Sequence, residues 1–106
     1  MTRKEIKKLD TLWSLKIRGK KGCEICGKQP TSAHHAFSRT AQSTRCDLDN
    51  GVNLCYRHHV HWAHKEPILF TEWFKKKLGK RFSVLKRKNA KPTKLNFETL
   101  LKSFMK

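Results

Sequence analysis

The sequence predicts a single α+β domain over residues 1–106, in which a small central β-hairpin lies between N-terminal and C-terminal helices. Apolar residues recur at helical spacing in residues 2–18 and again in residues 67–105. Between these regions, all four cysteines and all six histidines lie from Cys23 to His64. A domain of this length buries a modest core, so a cross-link through those metal-seeking side chains would add needed stability.

The charge balance predicts a polyanionic partner. The chain has 25 Lys+Arg against 8 Asp+Glu, a formal net charge of +17, and a field of this strength attracts nucleic acid. No long apolar run, secretory signal or lipidation motif is present. We therefore expect DNA as the partner, no membrane association and, because the cysteines are spaced as metal ligands, a reducing cytoplasmic location.

The predicted N-terminal helix covers residues 2–18. Thr2 and Glu5 have the spacing of a capping box, and the glycines at 19 and 22, on either side of Lys20 and Lys21, indicate where the helix ends. One face carries the residues that we expect in the core: Ile6, Leu9, Trp13 and Ile17.

In the C-terminal region, Pro67 is placed to begin a helix over residues 68–78, which Gly79 ends. Phe82, Val84 and Leu85 predict a further short element, followed by a basic connector over residues 86–94. The last amphipathic helix has its apolar stripe at Phe97, Leu100, Leu101 and Phe104.

The middle of the chain, residues 23–65, predicts a hairpin followed by a helix. We expect strands at residues 32–37 and 52–54 and a helix at 56–65, with an irregular loop over 38–50. A loop of this length in a small domain is more often functional than incidental.

Four side chains have the spacing of a structural zinc site. Cys23 and Cys26 form a CxxC pair, and Cys55 and His58 form a CxxH pair, which together offer the tetrahedral set that zinc prefers. Zinc would join the base of the hairpin to the start of the helix. Cys46 is an alternative ligand, a free thiol or, as we expect, a buried apolar residue.

The histidine pair, the Asp-Asn pair and the cysteine–histidine motif together resemble a known family of nucleases. The series His34-His35, Asp49-Asn50 and Leu54-Cys55-x-x-His58-His59 resembles the zinc-bearing form of the HNH nucleases, with Asn50 five residues before Cys55 as in that motif. The surrounding pattern is similar to small phage recombination endonucleases of the NinG and Ref kind. The resemblance implies a zinc-stapled ββα-metal, treble-clef-like core, also called the His-Me finger.

The resemblance also implies roles. His35 matches the general base, Asn50 the residue that braces the loop and orients the base, and His34 and His59 the ligands of a catalytic metal. His58 stands where relatives have cysteine, so His58 and His59 could exchange roles. Relatives with one more metal histidine have it where this chain has alanine, and His61 or His64 would substitute.

The implied function is a metal-dependent DNA endonuclease with a one-metal mechanism, acting on branched or single-stranded DNA in phage recombination. Its catalytic ion would be Mg²⁺ or Mn²⁺, with Ni²⁺ or Zn²⁺ as alternatives. Arg39, Arg45 and Arg57 are candidates for phosphate contacts. The alternative is a zinc-stapled module that binds nucleic acid without cutting it, which would leave the additional histidines unexplained.

Overall fold

The computed structural model describes residues 1–19, 22–91 and 93–105. The predicted helix end at Lys20 and Lys21 therefore lies partly outside the described residues. The described part is an α+β fold with these α-helices: α1 Arg3–Arg18, α2 Gln42–Arg45, α3 Pro67–Leu78, α4 Lys80–Ala90 and α5 Phe97–Phe104. The strands are β1 Thr31–His35 and β2 Gly51–Cys55, supplemented by a 3₁₀ turn at Leu48–Asn50 and a π-helical turn at Arg57–Ala63.

The two strands form the predicted hairpin. They pair antiparallel, with Thr31 opposite Cys55 and His35 opposite Gly51. A side chain at position 51 would collide with Ile17 and Trp13, so this glycine lets α1 pack closely against the hairpin. The first helix is thereby brought beside the strand that carries the histidine pair.

The predicted start of α1 is confirmed. Thr2 and Glu5 form a reciprocal capping box, with bonds of 2.9 and 3.1 Å. Cys46 lies in the core formed with this helix, as expected, and burial raises the pKa of its thiol to about 11. This core consists of Leu9, Trp13, Ile17, Cys46 and Phe104.

A second core lies between the hairpin and the C-terminal helices. α3 begins at Pro67 as predicted, and Gly79, at φ 58°, separates it from α4. The phenylalanines of α3 and α4 pack into a set of buried side chains that includes Val52, Leu54, Phe70, Phe74, Leu78, Phe82 and Leu85. No helix among the described residues is long and apolar enough to cross a membrane.

The prediction of a basic connector at residues 86–94 is wrong for its first half, residues 86–90, which are helical. α4 continues to Ala90, because lysine and arginine favour helix and Leu85 buries its apolar face. The helix ends just before Pro92, which lies outside the described residues.

The predicted irregular loop at residues 38–50 is also wrong in part, since it contains α2 and the 3₁₀ turn. Local polar contacts stabilise these short pieces, and one of them is the bond from the Asp49 amide to the Asp47 carboxylate at 2.9 Å. Such contacts leave no apolar periodicity for a sequence analysis to detect. The helix expected at residues 56–65 is a π-helical turn over Arg57–Ala63.

Candidate metal centres

The structure brings the four predicted zinc ligands together. The ligand atoms of Cys23, Cys26, Cys55 and His58 lie within 4.8 Å of one another, and we call this group the thiolate cluster. Nδ1 of His58 lies 3.3 Å from Sγ of Cys55 and 3.6 Å from Sγ of Cys23. Sγ of Cys26 lies 3.7 Å from Sγ of Cys55.

These separations fit one tetrahedral ion, because thiolate and imidazole ligands of zinc stand about 3.3–3.8 Å apart when each has its normal bond length. Cys23 and Cys26 come from the turn before β1, Cys55 ends β2, and His58 lies in the π-helical turn. The cluster can therefore hold a structural metal such as zinc, which would join these three segments. His58, not His59, is the histidine that faces the thiols.

A second group consists of histidines. The ligand nitrogens of His34, His59 and His64 also lie within 4.8 Å of one another, and we call this group the histidine cluster. Nε2 of His59 lies 3.1 Å from Nε2 of His64, and Nδ1 of His59 lies 2.8 Å from Oγ of Ser32. The sequence analysis left the third position open between His61 and His64, and the structure brings His64 to it.

The π-helical turn explains why His64 joins this group. Its amide donates to the carbonyl of His59 at 3.2 Å, five residues back, so residues five apart stand one above the other. In a regular α-helix, the residue four positions after His59, which is Ala63, would take that place. His61 instead packs against the ring of Tyr56.

Burial favours the neutral form of two of these imidazoles, those of His34 and His59. Burial, followed by repulsion from His59 and His64, lowers the pKa of His34 to about 4. Burial also lowers the pKa of His59, with a smaller effect from His64. Neutral imidazole is the form that binds a metal, so the cluster is suited to accept a cation.

His35 lies beside the histidine cluster but does not belong to it. Its Nε2 lies 2.9 Å from the carbonyl oxygen of Arg45, and since that oxygen can only accept, Nε2 carries the proton and Nδ1 keeps its lone pair. The ring stacks on Trp13, with 3.8 Å between centroids and 5° between planes. Burial lowers the pKa of His35, partly offset by the bond to Arg45.

Trp13 was expected in the core, and sequence reasoning missed its contact with His35. Its indole nitrogen donates to the carbonyl of Asp47 at 2.9 Å, which holds the ring in place under the imidazole. No sequence signal pairs a residue of α1 with one of β1, because that contact depends on how the helix docks.

Asn50 is fully buried and holds the segment that follows β1. Its Oδ1 accepts from the amide of Phe37 at 2.7 Å, and its Nδ2 donates to the carbonyls of Phe37 and Thr44 at 3.1 and 3.0 Å. It touches neither cluster. This arrangement agrees with the bracing part of its expected role, and any effect on His35 passes through the backbone.

The three candidate arginines differ in position. Arg39 lines the cleft around the histidine cluster. Arg45 forms a two-pronged pair with Asp10, at 2.9 and 2.6 Å, and so holds the loop to α1 instead of presenting its charge to solvent. Arg57 is exposed in the π-helical turn and is not among the residues of that cleft.

The cleft has a volume of about 410 Å³ and is lined by Ala33, His34, His35, Arg39, His59 and His64; we call it the histidine cleft. The three imidazoles of the histidine cluster, the ring of His35 and the guanidinium of Arg39 thus surround one space. Comparisons with known protein families, curated proteins and solved structures found no match to the chain.

Proposed function

We propose that this chain is a metal-dependent endonuclease of the HNH type, with a ββα-metal, treble-clef-like core stapled by zinc. The observation that carries the proposal is the histidine cleft, which the histidine cluster and His35 line together. A module that only binds nucleic acid would need the thiolate cluster alone.

The histidine cluster has the ligand pattern of a reactive site. Among the described residues it gathers three protein ligands, and catalytic metal sites commonly keep a position open beside three such ligands. A set of three imidazoles favours Mn²⁺, Ni²⁺ or Zn²⁺ over Mg²⁺, which prefers oxygen. We therefore place the transition metals ahead of Mg²⁺ as the ion of this site.

In this proposal, each group around the cleft has one role in phosphodiester hydrolysis. A divalent cation would stabilise negative charge on the phosphate and on the departing oxygen. His35, whose Nε2 is held by the Arg45 carbonyl, would take a proton from the attacking water through Nδ1. Arg39 is placed to contact a phosphate oxygen at the rim.

The net charge supports DNA as the substrate. The charge of +17 would give strong, salt-sensitive binding to a phosphate backbone without selecting a sequence. Branched or single-stranded DNA is the proposed preferred form, as the resemblance to recombination endonucleases suggests.

The decisive experiment is a plasmid cleavage assay with added Mn²⁺, Ni²⁺, Zn²⁺ or Mg²⁺ and with chelator. We expect cleavage that requires a divalent ion and that His35→Ala abolishes, while the zinc content stays the same. His61→Ala is the matched control, because His61 is exposed and belongs to neither cluster.

Two results would contradict the proposal. Full cleavage by His35→Ala would remove the general base. Tight nucleic-acid binding without cleavage of any DNA or RNA form, under every metal tested, would favour the zinc-stapled binding module.

A further inference from the structure

A second cleft lies next to the histidine cleft and is larger, at about 640 Å³. One wall is the segment from Thr40 to Ser43, which contains the start of α2, and the other is the end of α4 with the residues after it. Arg39 lines the histidine cleft, and the next residue, Thr40, lines this one. Consecutive residues of one segment therefore line the two clefts.

The segment from Arg39 to Arg45, which contributes to both clefts, is held by hydrogen bonds to α1 on one side and to α4 on the other. Arg45 donates to the carbonyl of Arg39 at 3.3 Å while it pairs with Asp10 on α1. On the other side, the Thr44 hydroxyl donates to Oδ1 of Asn89 at 2.9 Å, which ties α2 to α4. The second cleft is thus formed by fixed elements and not by a loose loop.

Its chemistry suits a polar anion with hydrogen-bonding edges. Lys91 and Lys94 line it, and none of the described lining residues is acidic. The hydroxyl of Ser43 has no hydrogen-bond partner among the described residues and is reached by solvent. The carboxamide of Gln42 and the NH₂ group of Asn89 are likewise without partners within that part of the chain.

A hydroxyl and two amides with open hydrogen-bonding positions around one cleft can donate to and accept from a ligand bound there. Side-chain amides pair with the edges of nucleobases, and lysines track the phosphates of single strands. The volume lies within the range of about 300–1,000 Å³ found for small-ligand sites. Ala41 and Ala90 add apolar surface.

We propose that this cleft is a nucleotide subsite, which holds the base and phosphate of one unpaired nucleotide next to the phosphate in the histidine cleft. The inference rests on the proposed function, since it assigns the neighbouring nucleotide of the same substrate strand. It also supplies a physical reason for single-stranded substrate, because the Watson–Crick edge of a paired base is already hydrogen-bonded and cannot meet Gln42 and Asn89.

The first test is binding of a fluorescein-labelled single-stranded oligonucleotide, measured by anisotropy without added divalent ion so that no cleavage occurs. Lys91→Ala/Lys94→Ala should weaken binding and reduce the slope of log K against log salt by about 1.4, the value for two lost phosphate contacts on a single strand. The matched control is Lys76→Ala/Lys102→Ala, which removes two exposed lysines that do not line the cleft and should leave the slope nearly unchanged.

The second test asks whether the base is recognised. Wild-type protein should prefer thymidine 3′,5′-bisphosphate to its abasic sugar bisphosphate by at least about fivefold, and Gln42→Ala should lose that preference. In NMR titrations, the backbone amides of residues 40–43 and 89–91 should shift together and saturate.

The outcomes of these tests distinguish the subsite inference from the nuclease proposal. Equal binding and equal salt slopes for the two double variants would overturn the subsite even if the protein cleaves DNA. Equal affinity for the normal and abasic ligands, or equal competition by dextran sulfate, would reduce the cleft to a site for anions and overturn the inference. A protein that never cleaves but shows the predicted slopes and base preference would support the subsite while contradicting the nuclease.

Discussion

The thiolate cluster and the histidine cluster meet at adjacent residues, His58 and His59, yet they differ in ligands and surroundings. The thiolate cluster has four ligands, and Cys23 and Cys55 are buried, so it can close a tetrahedron around an ion. The histidine cluster has three imidazoles at the edge of an open cleft. One arrangement suits a structural ion, and the other leaves room for a reactant.

The comparison shows how a single turn can serve two sites. Neighbouring residues on a helix do not face each other, so His58 turns toward the cysteines while His59 turns toward β1. If zinc anchors this turn through His58, it also fixes the position of His59 and His64. The thiolate cluster would then set the geometry of the histidine cluster, and the two can be separated by substitution.

The largest expected effect is the loss of the thiolate cluster. Cys55→Ser should release zinc and unfold the domain, because binding energy at such a site, on the order of 10–16 kcal/mol, is folding energy. Zinc content and thermal unfolding by circular dichroism measure it. Cys46→Ala is the matched control, since Cys46 is buried outside both clusters; it should keep zinc and cost about 1 kcal/mol. Retained zinc and a normal melting temperature in Cys55→Ser would contradict a structural role for the thiolate cluster.

The next effect separates the second cluster from the first. His64→Ala should keep its zinc and its fold but bind Mn²⁺ or Ni²⁺ more than about tenfold more weakly, because a direct ligand matters at least as much as the groups that orient ligands. Isothermal titration after loading with zinc measures the second site alone. His61→Ala, from the same turn, should titrate as wild type. If both variants titrated alike, His64 would not belong to the site.

A smaller effect concerns Asn50, which holds the segment after β1. Asn50→Ala removes three hydrogen bonds inside the protein and should lower the free energy of unfolding by about 2–5 kcal/mol, since buried backbone groups lose their partners. Urea titration measures the change. Asn96→Ala is a useful reference, because Asn96 caps α5 at the surface and should cost about 1 kcal/mol. Similar losses in the two variants would argue against a bracing role for Asn50.

The smallest effect on stability is expected at the partly exposed pair of Asp10 and Arg45. Asp10→Asn should cost about 1 kcal/mol or less, but it should slow cleavage, because the Arg45 carbonyl that holds His35 would be less firmly placed. Asp49→Asn, which breaks the exposed pair with Arg81, should match it in stability and leave cleavage unchanged. A cleavage rate equal to that of the wild type in Asp10→Asn would show that this pair does not position His35.

Several elements could be predicted because their signals are local. The capping residues of α1, Pro67 at the start of α3 and the apolar stripes are read within a few residues of one another. α2 and the 3₁₀ turn could not be predicted in this way, because polar contacts hold them, such as the bond between Thr44 and Asn89, 45 residues apart. A separation of 35 residues likewise concealed the pairing of Asp10 with Arg45.

The sequence by itself determined the inventory of donor groups, their division into CxxC and CxxH pairs with surplus histidines, and the basic charge. Those properties depend on composition and short spacing, which folding does not change. Only the tertiary structure decided that His64 joins His34 and His59, that Trp13 stacks on His35, and that Arg45 turns inward. Each of these depends on the π-helical turn or on the docking of α1 against the hairpin, and a chain reaches such contacts only when distant segments pack together.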